Sequence, residues 1–193
     1  MGLALHNYLA AYGSFPPAYT VDENGRPMHS WRALLLPSFE GGLEAEYDFT
    51  EPWDSPNNLK LIEQMPDVYR CPSDGDTPPG MTNYVAVVGN DTVWPNASSR
   101  KAEEISDGLS NTVAVVEVSG LSIPWTKPQV DLEFDKIPFE INAVSANGIS
   151  SQHGDGVDML MADGSVRFMR TGIEPNILRA LLTVAGGENV SPP

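Results

Sequence analysis

An α+β fold is predicted for this chain: an opening helix, antiparallel strands, then a closing helix. Three observations carry the prediction. Apolar residues recur at helical spacing at both ends, and two β-branched runs, NYVAVV at 83–88 and TVAVVEV at 112–118, lie between them. An Asp-Gly pair joins two further apolar runs between His153 and Met169. Segregated helices and strands of this kind suit an antiparallel sheet packed on a helix.

The elements follow in order. Leu5, Leu9 and Tyr12 repeat at helical spacing from the first residues, and Gly13 supplies a left-handed stop. The pattern is already under way at residue 2, so residues 1–13 are read as the remnant of a longer helix. Pro16 and Pro17 prevent its continuation. Ser30 is placed to cap a second short helix through Trp31, Leu34 and Leu35, closed by Pro37. Residues 41–82 and 119–150 read as loop-rich insertions, the first with one helical stretch near 57–64 and the second with a proline-punctuated surface excursion over 122–139. A last helix is expected over 175–185. Pro175 suits its first turn, Ile177, Leu178, Leu181 and Leu182 form its buried stripe, and Gly186-Gly187 ends it. All 193 residues are read as one domain.

The segment 153–170 is the most specific local signal. With Asp163 and Gly164 as a two-residue turn, Met161 faces Val166, Leu160 faces Arg167 and Met159 faces Phe168. Met159, Met161, Val166 and Phe168 then form one apolar strip directed at the core.

Composition excludes several functions. A net charge of −15, from 11 basic and 26 acidic residues, disfavours binding to nucleic acid or to an anionic membrane surface. Cys71 is the only cysteine, which rules out an intrachain disulfide and a multi-cysteine zinc cluster. The 17 glycines and 17 prolines imply short elements joined by irregular loops rather than a helical bundle. No apolar stretch approaches the ~20 residues of a membrane span, and no signal peptide is visible.

Candidate chemistry is sparse. His6, His29 and His153 are the available near-neutral bases, and none sits in a recognisable nucleophile motif, so no enzymatic activity is expected. His153 is read as a ring that hydrogen-bonds loop backbone and anchors the entry to the hairpin, with metal or ligand contact as the alternative. Asp155 and Asp158 in a glycine-bearing loop are candidate calcium ligands, as are Asp74 and Asp76, although the twelve-residue loop ending in Glu is absent. Trp53, Trp94 and Trp125 lie beside prolines and are candidate ligand-binding rings for a carbohydrate or peptide; the alternative is that each pins a loop onto the sheet.

A series of short motifs extends over nearly the whole chain: Leu3 to Tyr8, Phe15-Pro-Pro17, Ser30 to Pro37, Glu51-Pro-Trp-Asp54, Tyr69 to Ser73 and Thr82-Asn-Tyr84. Ile105 to Thr112, Pro124 to Pro128 with Asp131-Leu132, Ala162 to Phe168, and Leu178 to Thr183 before Gly186-Gly-Glu188 complete it. In this order they resemble the bacterial pseudopilin-like (prepilin-type) proteins of unknown function. The C-terminal signature of those proteins is a histidine, nine residues and Asp-Gly, here His153, Asp163 and Gly164. The resemblance implies a pilin-like fold and an upstream leader with a membrane helix continuous with the opening helix. It also implies export to the periplasm or cell surface, and partners that are other pseudopilin or pilus-like subunits. The function it implies is that of a non-enzymatic component of a type II secretion or type IV pilus-like assembly. An extracellular binding module and an exported hydrolase are the alternatives.

Overall fold

The structure, a computed structural model, describes residues 1–143 and 148–187. Residues 144–147 of the second insertion, and Glu188 of the last motif, lie outside the described residues. The fold is α+β. Helix α1 spans Gly2–Tyr12 and ends at Gly13, whose φ of 74° lets its N–H reach the Leu9 carbonyl. Strands β1 (Tyr19–Val21) and β2 (Pro27–Ser30) make a small antiparallel pair. Ser30 then caps α2 (Trp31–Leu34), its hydroxyl accepting from the Ala33 N–H at 3.3 Å. Two single helical turns follow in the first insertion, α3 (Leu43–Glu46) and α4 (Pro56–Leu59). The predicted helical stretch at 57–64 is therefore split: Ser55 caps α4, and a separate 3₁₀ turn occupies Ile62–Gln64.

The apolar run at 83–88 is not one strand but two. Strand β3 (Tyr84–Val85) joins the main sheet and β4 (Val87–Val88) leaves it. The break falls at Ala86, whose N–H donates to the Asp131 carboxylate and whose carbonyl accepts from Leu132. Strand β4 then pairs in parallel with β6 (Leu132–Glu133). Between them in sequence lies β5 (Val113–Glu117), buried at every position. Strands β7 (Gly156–Met161) and β8 (Val166–Arg170) form the hairpin, and α5 (Pro175–Leu181) closes the fold, shorter than its pattern at 175–185 suggested. The central sheet is antiparallel in the order β3-β5-β7-β8.

Each face of this sheet carries a core. One side, with α1, packs Ala4, Leu5, Trp31, Trp94, Trp125, Val115 and Leu160 together. The other, with α5, packs Val116, Met159, Met161, Met169, Leu178 and Leu181. A register shift between Val113 and Val115 puts both Val113 and Val116 on the α5 side. Val115, and Glu117 two residues on, consequently face α1. Of the predicted stripe on α1, Leu5 is buried but Tyr12 is exposed.

The hairpin register departs by one residue from the sequence-based one. Leu160 faces Val166, Met159 faces Arg167 and Asp158 faces Phe168. The loop has three residues, Ala162, Asp163 and Gly164, and is closed by the Met161 N–H on the Ser165 carbonyl. Only Gly164 has positive φ, 86°, whereas the expected two-residue turn needs positive φ at both central positions. Asp163 instead turns its carboxylate onto the Ser165 N–H and hydroxyl, a side-chain mimic of a backbone turn. The Ser165 hydroxyl, and after it the Ser165 N–H, hold the Asp163 carboxyl below the usual range against an opposing pull from burial. The consequence is a changed partition. Met159, Met161, Val157 and Met169 are core, while Val166 and Phe168, expected inside, are 63% and 44% exposed.

Candidate functional site

Cys71, Glu117 and His153 converge from three distant stretches of chain. The first follows a 3₁₀ turn at Asp67–Tyr69, the second ends β5, and the third lies in the loop entering β7. Asn83 seats the cysteine. Its side-chain oxygen accepts from the Cys71 N–H, while its amide donates to Asp74 and Thr77. The hydroxyl of Ser151 seats the histidine, accepting from the His153 N–H and donating to the Gly156 carbonyl. Glu117 is fixed by its strand, and its Oε2 accepts from the Asp158 N–H at 2.8 Å.

The three side chains share one point. His153 Nε2 lies 3.4 Å from Cys71 Sγ and 3.3 Å from Glu117 Oε1, and one donor atom from each residue falls within 4.8 Å of the others. Asp158 Oδ2 stands 4.0 Å from the same Nε2. The Glu117 side chain is 1% exposed and that of His153 is 25% exposed, so the cluster opens on the histidine side. Glu117 Oε1 is buried without a hydrogen-bond partner, and it is aimed at this point. Burial pushes the Cys71 thiol up, and the neighbouring Glu117 carboxylate adds to that. Burial raises Tyr84 as well, followed by the charges of Glu117 and Cys71. Tyr84 is paired across the sheet with Glu117. Tyr84 and Asp158 also line, with Met1, Gly2 and Val166, a groove of about 230 Å³ beneath the start of α1.

This arrangement differs from the loop-backbone anchor expected for His153, because its ring meets two side chains. Neither Cys71 nor Glu117 was singled out beforehand as a partner. The available signal was Glu117 itself, one charge within an otherwise apolar strand.

The remaining candidates are placed as follows. Asp163 and Gly164 form the hairpin loop, where His6 Nε2 meets the Ala162 carbonyl at 3.0 Å. Asp155 is exposed and contributes its carbonyl to the Thr171 N–H. Asp74 accepts from Asn83 and Ser119, so that carboxylate braces the Cys71 loop, and Asp76 is exposed. His29 is buried between Tyr47 and Phe49, with Nδ1 on the Tyr47 hydroxyl and Nε2 on the Phe49 carbonyl.

The tryptophans require a correction. Trp94 and Trp125 are buried, and their indole N–H groups donate to the Ala114 and Ile62 carbonyls. Trp125 stacks on Tyr69 and Trp94 tilts against Trp31, so neither offers a face to a ligand. Trp53 is half-buried, with the Lys127 ammonium 5.8 Å from its ring.

Around Trp31 a second buried cluster gathers several of the motifs. Arg32 Nη1 meets Asp131 Oδ1 at 2.9 Å, and the Arg32 side chain also donates to the Trp125 and Tyr84 carbonyls. Trp31 Nε1 donates to the same Asp131 oxygen, and the Tyr69 hydroxyl donates to the Arg32 carbonyl. These motif residues hold the fold together.

A family profile described as "Protein of unknown function (DUF1559)" matches residues 1–136 and 124–176. The chain belongs to that family. Both Cys71 and Glu117 fall in the first matched segment of the family profile, and His153 in the second. No curated protein and no solved structure matches the chain. Among the described residues, no helix is long and apolar enough to cross a membrane.

Proposed function

We propose that the chain is the non-enzymatic head domain of a pseudopilin-like protein, a subunit of a type II secretion or type IV pilus-like assembly. In this reading it is exported to the periplasm or cell surface and anchored by an upstream continuation of α1. The placement of α1 carries the proposal. It opens the fold, buries Ala4 and Leu5 against the antiparallel sheet, and turns Leu3, Asn7, Ala10 and Ala11 outward. A helix seated by one side on its own domain keeps the other side for packing against neighbouring subunits. The His153, Asp163 and Gly164 spacing then serves as the C-terminal signature, with an architectural role.

The geometry of the cluster counts against a nucleophile–histidine–carboxylate relay. In a relay, a histidine uses one ring nitrogen for the nucleophile and the other for the carboxylate. Here both Cys71 and Glu117 approach the same nitrogen. The coding sequence upstream of residue 1 is expected to specify a leader and ~20 apolar residues in phase with α1. Full-length protein carrying a photo-crosslinker at Leu3 or Asn7 is expected in the membrane fraction, joined to further subunits. A soluble cytosolic product that starts at Met1 and forms no crosslinks would contradict the proposal.

A further inference from the structure

We propose that Cys71, Glu117 and His153 form a zinc site that ties the β7 entry loop to the sheet. The inference stands apart from the pilus reading, since it rests on the cluster alone. A tetrahedral zinc with bonds of ~2.0–2.3 Å sets its ligand atoms ~3.3–3.6 Å from one another. The observed separations from Nε2, 3.3 Å to the glutamate oxygen and 3.4 Å to the sulfur, match that spacing. A hydrogen-bonded network would give each buried acceptor its own donor. Glu117 Oε1 is buried and makes no well-formed hydrogen bond, with His153 Nε2 standing 3.3 Å away, and a cation at the centre of the cluster would be its partner.

The donor set selects the ion. One thiolate, one imidazole and one carboxylate suit zinc, whereas calcium requires six to eight oxygen ligands. Two anionic ligands and a dication leave the buried cluster neutral. The Asp158 carboxylate stands beside the cluster, with Oδ2 4.0 Å from His153 Nε2. The surroundings already orient the ligands. Asn83 fixes the Cys71 backbone, Ser151 fixes that of His153, and the Asp158 N–H holds the second oxygen of Glu117. Because the ligands come from three separate segments, binding is coupled to folding of the loop that enters the hairpin.

Metal-free protein titrated with zinc is expected to take up about one ion per chain and to melt several degrees higher. Cobalt in place of zinc is expected to show tetrahedral visible bands and a thiolate-to-cobalt charge-transfer band. Cys71→Ser removes that charge-transfer band, and His153→Gln lowers zinc affinity at least ~100-fold. Glu117→Gln is the control for folding. It keeps the side-chain volume and removes a buried charge, so its metal-free form stays folded, but the zinc-dependent rise in melting temperature disappears. Absence of zinc uptake overturns the proposal. So does a cobalt spectrum without thiolate character, zinc binding unchanged in Glu117→Gln, or stabilisation by calcium and not by zinc.

Discussion

Replacing Asp131 removes the counter-ion of the most deeply buried charge described in this fold. The Arg32 side chain is 0% exposed and that of Asp131 1% exposed, with 2.9 Å between Nη1 and Oδ1. Removing one partner of a buried pair strands the other and costs about 3–5 kcal/mol. In Asp131→Ala the loss is increased because Trp31 Nε1 and the Ala86 N–H lose the same acceptor. For a chain of this size, 3–5 kcal/mol corresponds to about 6–20 °C in melting temperature. Asp131→Asn keeps an oxygen for those donors and removes only the charge, so its cost is smaller than that of the alanine variant. Urea unfolding followed by tryptophan fluorescence measures both, because Trp31 and Trp125 sit at the pair. A cost below about 1 kcal/mol for Asp131→Ala would refute the reasoning. A double variant with apolar residues at both positions does not restore stability fully, since the Trp125 and Tyr84 carbonyls lose their Arg32 donors.

The hairpin register is tested by pairs of substitutions. Val166→Thr and Phe168→Thr change stability by less than about 1 kcal/mol, while Met159→Ala or Met161→Ala costs about 2–5 kcal/mol in denaturant unfolding. Trp94→Ala and Trp125→Ala each cost about 3–5 kcal/mol and leave binding on a glycan array unchanged. Burial lowers the pKa of His29, so its ring is neutral when folded and takes up a proton more readily when unfolded. The unfolded state therefore binds more protons as pH falls below the ordinary histidine value of ~6.5, and stability declines there. A His29→Gln variant is expected to show a shallower decline between pH 7 and 5 in thermal melts.

Much of the architecture is legible in local sequence. The Gly13 stop, the Ser30 cap, the β-branched run of β5 and the apolar stripe of α5 are each written within a few residues, and local physics determines them. The hairpin was legible as a hairpin but not in register. Asp-Gly is compatible with two-residue and three-residue loops, and the Asp163 bonds to Ser165 select the longer one. The run at 83–88 looks like one strand because its break at Ala86 is imposed by Asp131, 45 residues away. The cluster was legible only at His153. Its cysteine lies 82 residues distant in sequence, and no local pattern joins them. An unexplained charge in a fully buried strand, Glu117, was the one residue-level sign that the sheet carries more than packing.

Diffraction from crystals grown with stoichiometric zinc, measured at the zinc absorption edge, tests most directly whether His153 is a ligand in a zinc site shared with Cys71 and Glu117. The expected result is one anomalous peak within ~2.0–2.3 Å of Cys71 Sγ, Glu117 Oε1 and His153 Nε2. The contradicting result is no peak there, with the His153 ring turned away from Cys71 and Glu117.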